Sequence, residues 1–254
     1  MILASTRLIP LSFAFVGLML SANPALAQQG GIPDDERVKI ETVIQDYLDK
    51  NPGVVLQALE KHQENQRTEM ERQFVDKFAT LKDQIIKDGH PTVGPETADV
   101  TIFEFYDYNC GYCKKAFADV AKIVEEDKNV RFIFIEMPIL SENSIEAARW
   151  ALAIDKQGKF FEYHSALMKH AGMKDKATLE KYAAEVGVDI KKATADADSK
   201  AVLEVIEKNL SLARDLGISG TPAFVIGDQL TPGYMGYEGM KAAIAEIRKN
   251  GKAE

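Results

Sequence analysis

Helical periodicity dominates the first third of the chain. From Asp34 to Lys87 the apolar residues recur at intervals of three and four, the spacing of one helix face. Asn51-Pro52 interrupts the first apolar group, which comprises Ile40, Ile44, Tyr47, Leu48, Val54, Val55, Leu56 and Leu59. Residues 60–69 contain no large hydrophobic side chain. The pattern then returns as a narrow stripe, similar to a coiled-coil seam, of Met70, Phe74, Phe78, Leu81 and Ile85.

Residues 28–88 are therefore interpreted as an N-terminal helical stalk with a polar connector at residues 60–69. These helices carry too few apolar side chains to form a core alone, so they need a partner surface. Packing on the following domain is one alternative, and self-association is the other. The polar connector favours self-association through residues 35–59, because it separates the first apolar group from the rest of the chain.

The periodicity changes after Gly94 to that of an α/β sheet domain, assigned to residues 95–254. The segment Val100–Phe105 is rich in β-branched and aromatic residues, which predicts a buried strand. A helix at 114–126 and a strand at 130–135 complete a βαβ unit. Residues from about 141 to 216 predict a helical insertion. A strand at 223–226 and a closing helix at 240–248 return the chain to the sheet domain.

The first 27 residues have the features of a secretory leader. Arg7 precedes an apolar stretch from Leu8 to Leu20, and Ala25-Leu26-Ala27 provides a small-residue cleavage site before Gln28. A membrane anchor is the alternative, but this stretch is shorter than the ~20 residues that span a bilayer. We therefore expect an exported protein whose signal peptide is removed after Ala27, in a compartment where disulfides persist.

Charge and cysteine content narrow the range of functions. The chain has 39 acidic against 31 basic residues, a formal net charge of −8, which argues against nucleic acid or an anionic membrane as a partner. It has only two cysteines, so any disulfide within the chain joins them. Its stability must come from a packed core, for which 46% hydrophobic residues are sufficient at this length.

The two cysteines form the motif Cys110-Gly111-Tyr112-Cys113, directly behind a predicted strand. Disulfide exchange needs one thiolate that attacks and a second thiol that resolves the mixed disulfide, and one helical turn holds two such sulfurs together. At the start of a helix, Cys110 lies at the positive end of the helix dipole, which lowers the thiol pKa. We therefore expect Cys110 to attack and the more buried Cys113 to resolve.

Metal binding is the alternative for this motif. Half of a structural zinc site has the same cysteine spacing, but zinc needs further ligands. The four histidines, at positions 62, 90, 164 and 170, are scattered and are interpreted as surface residues. Copper(I) is the stronger competitor, because two soft thiolates can hold it without other ligands. We expect no metal and no cofactor beyond the cysteine pair itself, with copper(I) left as an alternative.

Three segments resemble a known family. FEFYDYNCGYC, from Phe103 to Cys113, and SGTPAFVIGDQLTPGY, from Ser219 to Tyr234, are similar to the thioredoxin-fold disulfide oxidoreductases of the DsbA type. IQDYLDKNPGVVLQAL, from Ile44 to Leu59, resembles the suppressor-of-copper-sensitivity protein C (ScsC) group, some of whose members are trimers. The resemblance implies a thioredoxin fold with a helical insertion, a periplasmic location and a homotrimer built by the N-terminal helices.

The resemblance also implies residue roles. Thr221-Pro222 matches the cis-proline loop that faces the cysteine pair and touches substrate. Glu104 matches the buried glutamate that moves a proton for the resolving cysteine. Strand alternation offers the alternative that Glu104 faces water, but its apolar setting between Phe103 and Phe105 favours the functional role. Gly111-Tyr112 resembles the dipeptide of the isomerase DsbC. The residues Tyr106, Asp107, Tyr108 and Asn109 are interpreted as shaping the surface that leads to Cys110.

The expected function is disulfide isomerisation or reduction of misfolded, copper-stressed secreted proteins. The alternatives are a dithiol oxidase that donates its disulfide to new chains, and a copper(I)-binding or copper-buffering protein. The expected partners are reduced or misfolded secreted clients and a membrane thiol reductase that recycles the Cys110–Cys113 pair, with no nucleic acid.

Overall fold

The two N-terminal helices are separated at the predicted break. In the structure, a computed structural model that describes residues 32–251, helix α1 spans Asp34–Lys50 and helix α2 spans Gly53–Lys87. Asn51 between them is non-helical, with φ −131° and ψ 58°, because a residue before proline is forced out of the α region. The predicted signal peptide lies outside the described residues.

The rest of the chain alternates strands and helices. A short strand, β1 (Thr92–Val93), precedes the βαβ unit of β2 (Val100–Tyr106), α3 (Gly111–Glu126) and β3 (Val130–Glu136). Five helices form the insertion, namely α4 (Glu142–Asp155), α5 (Phe160–Lys169), α6 (Lys176–Glu185), α7 (Ile190–Ala197) and α8 (Lys200–Asp215). The chain then returns to the sheet with β4 (Ala223–Ile226), β5 (Gln229–Pro232) and α9 (Gly236–Asn250).

Side-chain caps define where most insertion helices begin. Ser141, Asp175, Asp189 and Ser199 precede α4, α6, α7 and α8, and each side-chain oxygen accepts a hydrogen bond from a backbone N–H of the first turn. Each cap gives a hydrogen-bond partner to an N–H group that has none within the helix. Such a cap typically stabilises the helix by about 1 kcal/mol. The insertion is therefore specified locally, helix by helix.

A five-stranded mixed sheet forms the centre of the α/β unit, in the order β1-β3-β2-β4-β5. Strands β2 and β3 are parallel, and the other neighbours are antiparallel. In the parallel pair, Glu104 lies opposite Phe134 and Tyr106 lies opposite Glu136. Because side chains alternate along a strand, Ile102, Glu104 and Tyr106 share one face of the sheet.

Helices cover both faces of this sheet. One of them is α2, part of which the periodicity assigns to the stalk. On one face, Ile102, Tyr106 and Phe134 pack with α3, α9 and the insertion. On the other, Phe103 and Phe105 pack with three buried residues of α2, which are Phe74, Phe78 and Ile85.

The stripe assigned to the stalk at residues 70–85 thus belongs to the sheet domain. The Phe78 and Phe103 rings meet edge to face at 5.1 Å, and Lys82 Nζ pairs with Asp228 Oδ1 at 2.8 Å. The chain divides into a unit that ends at Lys61 and one that begins at His62, earlier than the predicted boundary at 88–95. Periodicity identifies an apolar stripe but not the surface that covers it. No helix within residues 32–251 has the length and apolarity to cross a membrane.

Candidate active site

Cys110 and Cys113 lie at the N-terminus of α3, as the sequence predicts. Cys110 is the N-cap residue, with extended backbone angles, and its Sγ accepts a hydrogen bond from the Cys113 N–H at 3.4 Å. Cys113 is completely buried, whereas 7% of Cys110 is exposed. Both are free thiols, so the structure describes the dithiol form.

The two thiols have opposite acidities. The Cys113 side chain is the main cause that lowers the pKa of Cys110, to about 5. The Thr221 side chain and the N–H groups of Cys113 and Tyr112 lower it further, and together these groups outweigh burial. Burial and the Cys110 sulfur raise the pKa of Cys113 far above its ordinary value. At neutral pH the pair therefore consists of a thiolate at Cys110 and a thiol at Cys113.

The loop before β4 lies against the cysteine pair. The Thr221–Pro222 peptide bond is cis, and the Cys110 thiol is 3.2 Å from the Thr221 carbonyl oxygen, to which it donates in its protonated form. A cleft of about 240 Å³ adjoins this loop and is lined by Gly217, Ile218, Ser219, Gly220, Thr221, Pro222, Ala223, Leu230, Pro232 and Gly233. The cis-proline loop thus contacts Cys110 and also lines an open cleft.

Gly111 and Tyr112 form the outer rim of the site. Both are exposed, and Tyr112 exposes 65% of its surface, which is high for an aromatic residue. A Cβ atom at Gly111 would meet nothing within 4 Å, so the space above this residue is open. The dipeptide is therefore accessible to a client, although nothing in the packing requires glycine.

Glu104 faces the interior rather than water. It is 1% exposed on β2, and its Oε2 has no hydrogen-bond partner among the described residues. Burial raises the pKa of Glu104 to about 8, so the carboxyl is mostly protonated at pH 7. Its negative charge, when present, also raises the Cys113 pKa. Glu104 thus acts electrostatically on Cys113, and the Glu104 pKa is suited to proton exchange near neutral pH.

Of the residues leading to Cys110, Tyr106, Asp107 and Tyr108 are buried and Asn109 is half-buried, which corrects the interpretation of the first three as surface residues. Tyr106 and Tyr108 are fully buried and Asp107 is 1% exposed. The Asp107 carboxylate accepts hydrogen bonds from the N–H groups of Asn109, Ile139 and Leu140 at 2.7, 2.9 and 3.0 Å. Its carbonyl accepts the Cys110 N–H at 3.1 Å. Asp107 therefore ties this loop to the segment between β3 and α4.

His164 is also buried, and its interpretation as a surface residue is wrong. It is completely inaccessible on α5, its Nδ1 is 2.9 Å from the Tyr108 hydroxyl, and burial lowers its pKa to about 3. Sequence reasoning missed this contact. No sequence signal pairs the two residues, because they lie 56 positions apart. Among residues 32–251, no group of three or more His, Cys, Asp or Glu side chains is arranged to hold a metal ion.

Comparisons with known proteins agree with this geometry. A family model described as thioredoxin matches residues 86–246. The crystal structure of a thioredoxin-like oxidoreductase from Silicibacter pomeroyi DSS-3 is 40% identical, with a TM-score of 0.63, over 66% of this chain and 97% of that chain. Proteus mirabilis ScsC in a transitional conformation is 27% identical, with a TM-score of 0.63, over 85% of this chain and 97% of that chain.

The curated relatives include much longer proteins. Three that are named as Na(+)/H(+) antiporter NhaA are matched along only 24, 21 and 26% of their lengths. The one from Herminiimonas arsenicoxydans is 32% identical over 136 residues, or 52% of this chain. The chain thus spans about a quarter or less of these relatives, and the similarity concerns a portion of each.

Proposed function

Because the chain belongs to the thioredoxin family, among the DsbA-type thiol-disulfide oxidoreductases that include ScsC, we propose that it isomerises or reduces disulfides in misfolded secreted proteins. The observation that carries this proposal is the contrast between the two thiols of one helical turn. Cys110 is a partly accessible thiolate at neutral pH, and Cys113 is a buried thiol behind it. Cys110 is therefore already ionised for attack, and Cys113 stays protonated until it resolves the mixed disulfide.

The reaction begins when the Cys110 thiolate attacks one sulfur of a client disulfide. A mixed disulfide forms, and the other client sulfur leaves as a thiolate. In isomerisation, a client thiolate attacks another client disulfide, and a further client thiolate then displaces Cys110, so no net oxidation occurs. In reduction, Cys113 attacks the mixed disulfide, which leaves the client as a dithiol and the enzyme with a Cys110–Cys113 disulfide.

Glu104 serves the reductive branch as a base. Cys113 must lose its proton to attack, and it has no direct path to water because it is completely buried. The ionised fraction of Glu104, whose pKa is about 8, accepts that proton. In the reverse direction the protonated carboxyl returns it to the departing Cys113 thiolate. Thr221, Pro222, Gly111 and Tyr112 form the surface that receives the client backbone.

The N-terminal helices support an oligomer, for which we propose a homotrimer. Helix α1 has no buried residue, and large apolar side chains on α1 and at the start of α2 are exposed, including Val38 at 61%, Val43 at 68% and Leu56 at 62%. A row of such residues is unfavourable in water and indicates an interaction surface. Several copies of Cys110 facing one client would raise the local thiol concentration, which favours isomerisation.

The proposed setting is the periplasm of a bacterium, after removal of the signal peptide. The proposed clients are misfolded secreted proteins, including those damaged by copper stress. A membrane thiol reductase would return the Cys110–Cys113 disulfide to the dithiol form.

Refolding of a scrambled multi-disulfide protein tests the proposed activity. The reduced mature protein should restore client activity without added oxidant, whereas a Cys110→Ser, Cys113→Ser double variant should not. Light scattering gives the oligomeric state in the same preparation. Failure of the reduced protein to restore the client would exclude isomerisation, and a monomeric mass at micromolar concentration would remove the oligomer from the proposal.

Dithiol oxidation is a second candidate, and the acidity of Cys110 favours it. A stabilised thiolate makes the dithiol form more stable relative to the disulfide, which increases oxidising power. Equilibration with glutathione gives the reduction potential and separates the two functions. A potential in the range of strong oxidases, together with rapid oxidation of a dithiol peptide and no isomerisation, would place oxidation first.

A further inference from the structure

A second buried acid, Glu136, lies at the end of β3. It is 1% exposed and lies opposite Tyr106 in the parallel pairing of β2 and β3. The Tyr106 hydroxyl donates a hydrogen bond to its Oε1. Strand alternation places Glu136 on the same face of the sheet as Phe134 and Phe132, which are core residues. An apolar residue would be expected at this position, so the carboxyl calls for an explanation.

Glu136 ends a continuous line of hydrogen bonds that we term the hydroxyl chain. It comprises Glu136, Tyr106, Tyr108 and His164. The Tyr106 and Tyr108 hydroxyl oxygens are 3.3 Å apart, and the Tyr108 hydroxyl is 2.9 Å from His164 Nδ1. The chain therefore links the sheet to α5 of the insertion through groups that are all buried.

The two tyrosines of the hydroxyl chain belong to the segment that leads to the attacking thiol. Tyr106 and Tyr108 lie on either side of Asp107, whose carbonyl holds the Cys110 N–H and whose carboxylate holds three further N–H groups. The two tyrosine rings meet edge to face at 5.2 Å, with an interplanar angle of 90°. Each buried hydroxyl loses much of its hydrogen bonding if it moves, so the network favours one loop geometry.

We propose that Glu136 is a positioning residue for Cys110, acting through Tyr106 and Tyr108 to fix the loop before α3. The inference rests on the proposed function, in which Cys110 is the attacking thiol. The low pKa of Cys110 depends first on the Cys113 side chain and also on the N–H groups of the first turn of α3, and both require the sulfur to stay at the N-cap position. A looser loop misaligns them and makes the thiolate less stable.

Burial raises the pKa of Glu136 well above its ordinary value, which favours the protonated, neutral carboxyl. Glutamine is therefore a close mimic of this side chain, because its amide oxygen can still accept the Tyr106 hydroxyl. Leucine has a similar size but offers no acceptor. The pair Glu136→Gln and Glu136→Leu thus separates hydrogen bonding from packing volume.

A matched tyrosine provides the control. Tyr163 on α5 is as buried as Tyr108, but its hydroxyl bonds to the Leu179 carbonyl at 3.3 Å, outside the hydroxyl chain. Tyr108→Phe and Tyr163→Phe therefore each remove one buried hydroxyl from the same core. Only the first removal breaks the link between His164 and Tyr106.

The experiment measures Cys110 alkylation against pH in Glu136→Leu, Glu136→Gln, Tyr108→Phe, Tyr163→Phe and wild type, with circular dichroism to establish folding. We expect Glu136→Leu and Tyr108→Phe to react about tenfold more slowly in the acidic range, where the thiolate is the minor form and its population sets the rate. Glu136→Gln should recover most of the wild-type rate. Tyr163→Phe should match the wild-type profile.

Two outcomes would overturn the inference. One is a folded Glu136→Leu protein with the wild-type profile, and the other is an equal effect of Tyr108→Phe and Tyr163→Phe, which would indicate general loss of packing. If Glu136→Leu does not fold, the inference is tested by comparing Cys110 alkylation in Tyr108→Phe and Tyr163→Phe. An unactivated Cys110 in the wild type would instead refute the proposed function, so the two failures are distinguishable.

Discussion

Two regions meet at the first turn of α3, and each places a cysteine sulfur in a different environment. The outer region comprises Cys110, Gly111, Tyr112, Thr221 and Pro222, and its sulfur is partly accessible. The pKa of this sulfur is lowered by the neighbouring Cys113 side chain, the Thr221 side chain and N–H groups of the first turn of α3. The inner region, comprising Cys113 and Glu104, removes its sulfur from water entirely. Three positions along the chain are enough to separate a thiolate from a thiol. The difference shows that donors and desolvation, rather than helix position alone, set the acidity of each cysteine.

The largest expected effect separates the two cysteines. Cys110→Ala should abolish disulfide exchange, because it removes the only thiolate at neutral pH. Cys113→Ala should still attack clients and should accumulate as mixed disulfides, because nothing resolves them. Non-reducing electrophoresis and mass spectrometry of each variant with a disulfide client measure both results. Mixed disulfides on Cys113 of the Cys110→Ala protein, at a rate near wild type, would reverse the assignment.

A second test removes the base of the inner region. Glu104→Gln should slow resolution of the mixed disulfide by about 100-fold, since general acid–base catalysis typically contributes that much or more. Attack by Cys110 should change little, because the outer region supplies its donors. Single-turnover kinetics separate the two steps. Equal slowing of attack and resolution would argue that the substitution disturbs the whole site.

Glu104 also predicts a pH dependence of stability. Its folded pKa of about 8 lies above its ordinary value of 4.5, so the folded state binds the proton more tightly. Folding is favoured by this proton below pH 4.5, and the contribution is lost as pH rises to about 8. The stability of Glu104→Gln relative to wild type should therefore rise over this interval, by at most about 1.4 kcal/mol per pH unit. Urea denaturation of the dithiol forms at several pH values measures the difference, and a flat difference would contradict burial of an ionisable carboxyl.

Alkylation across pH sharpens the comparison without any substitution. Cys110 should react with a midpoint near pH 5, and its rate should fall about tenfold for each pH unit below that value. Cys113 should stay unreactive throughout the range in which the protein remains folded, because burial keeps it protonated. Peptide mass spectrometry identifies which cysteine is modified. A midpoint above that of an ordinary thiol at Cys110 would show that the donors do not act as described.

The smallest effect concerns a single donor of the outer region. Thr221→Val removes the hydroxyl that stabilises the Cys110 thiolate and should raise the thiol pKa slightly, with a rate change of a few-fold and no unfolding. Thr231→Val provides a control, because Thr231 is a half-buried threonine on β5, paired with Phe224. A shift in reduction potential should occur in the first variant alone. Equal potentials in wild type and Thr221→Val would exclude this role.

Much of the fold is accessible from sequence because it is specified locally. The βαβ unit, the insertion and the closing helix follow from periodicity and lie within a few residues of their predicted bounds. The thioredoxin fold with a helical insertion is confirmed by the family match and the structural relatives. Helix α3 begins at Gly111, three residues before the predicted bound of 114, and this start agrees with the expectation that Cys110 lies at the beginning of a helix.

The missed features depend on partners that are distant in sequence. Phe74 and Phe78 have the spacing of a coiled-coil seam, yet they pack on Phe103, which only the tertiary structure reveals. Tyr108 and His164 are 56 positions apart, so neither residue indicates the other in the sequence. Buried polar networks are in general the least visible elements, because each member alone resembles a surface residue.

The contact between Cys110 and the Thr221 carbonyl has a consequence for how the protein matures. These residues are 111 positions apart, and the second lies in the loop just before β4, in the last part of the sheet to be synthesised. A chain that is synthesised from its N-terminus presents Cys110 long before Thr221 emerges. During that interval the Cys110 thiol lacks its partner in the loop before β4 and a packed helix around it, and its reactivity is close to that of a free thiol. The nascent chain is therefore protected from premature cross-linking, and its thiol becomes active only in the finished molecule.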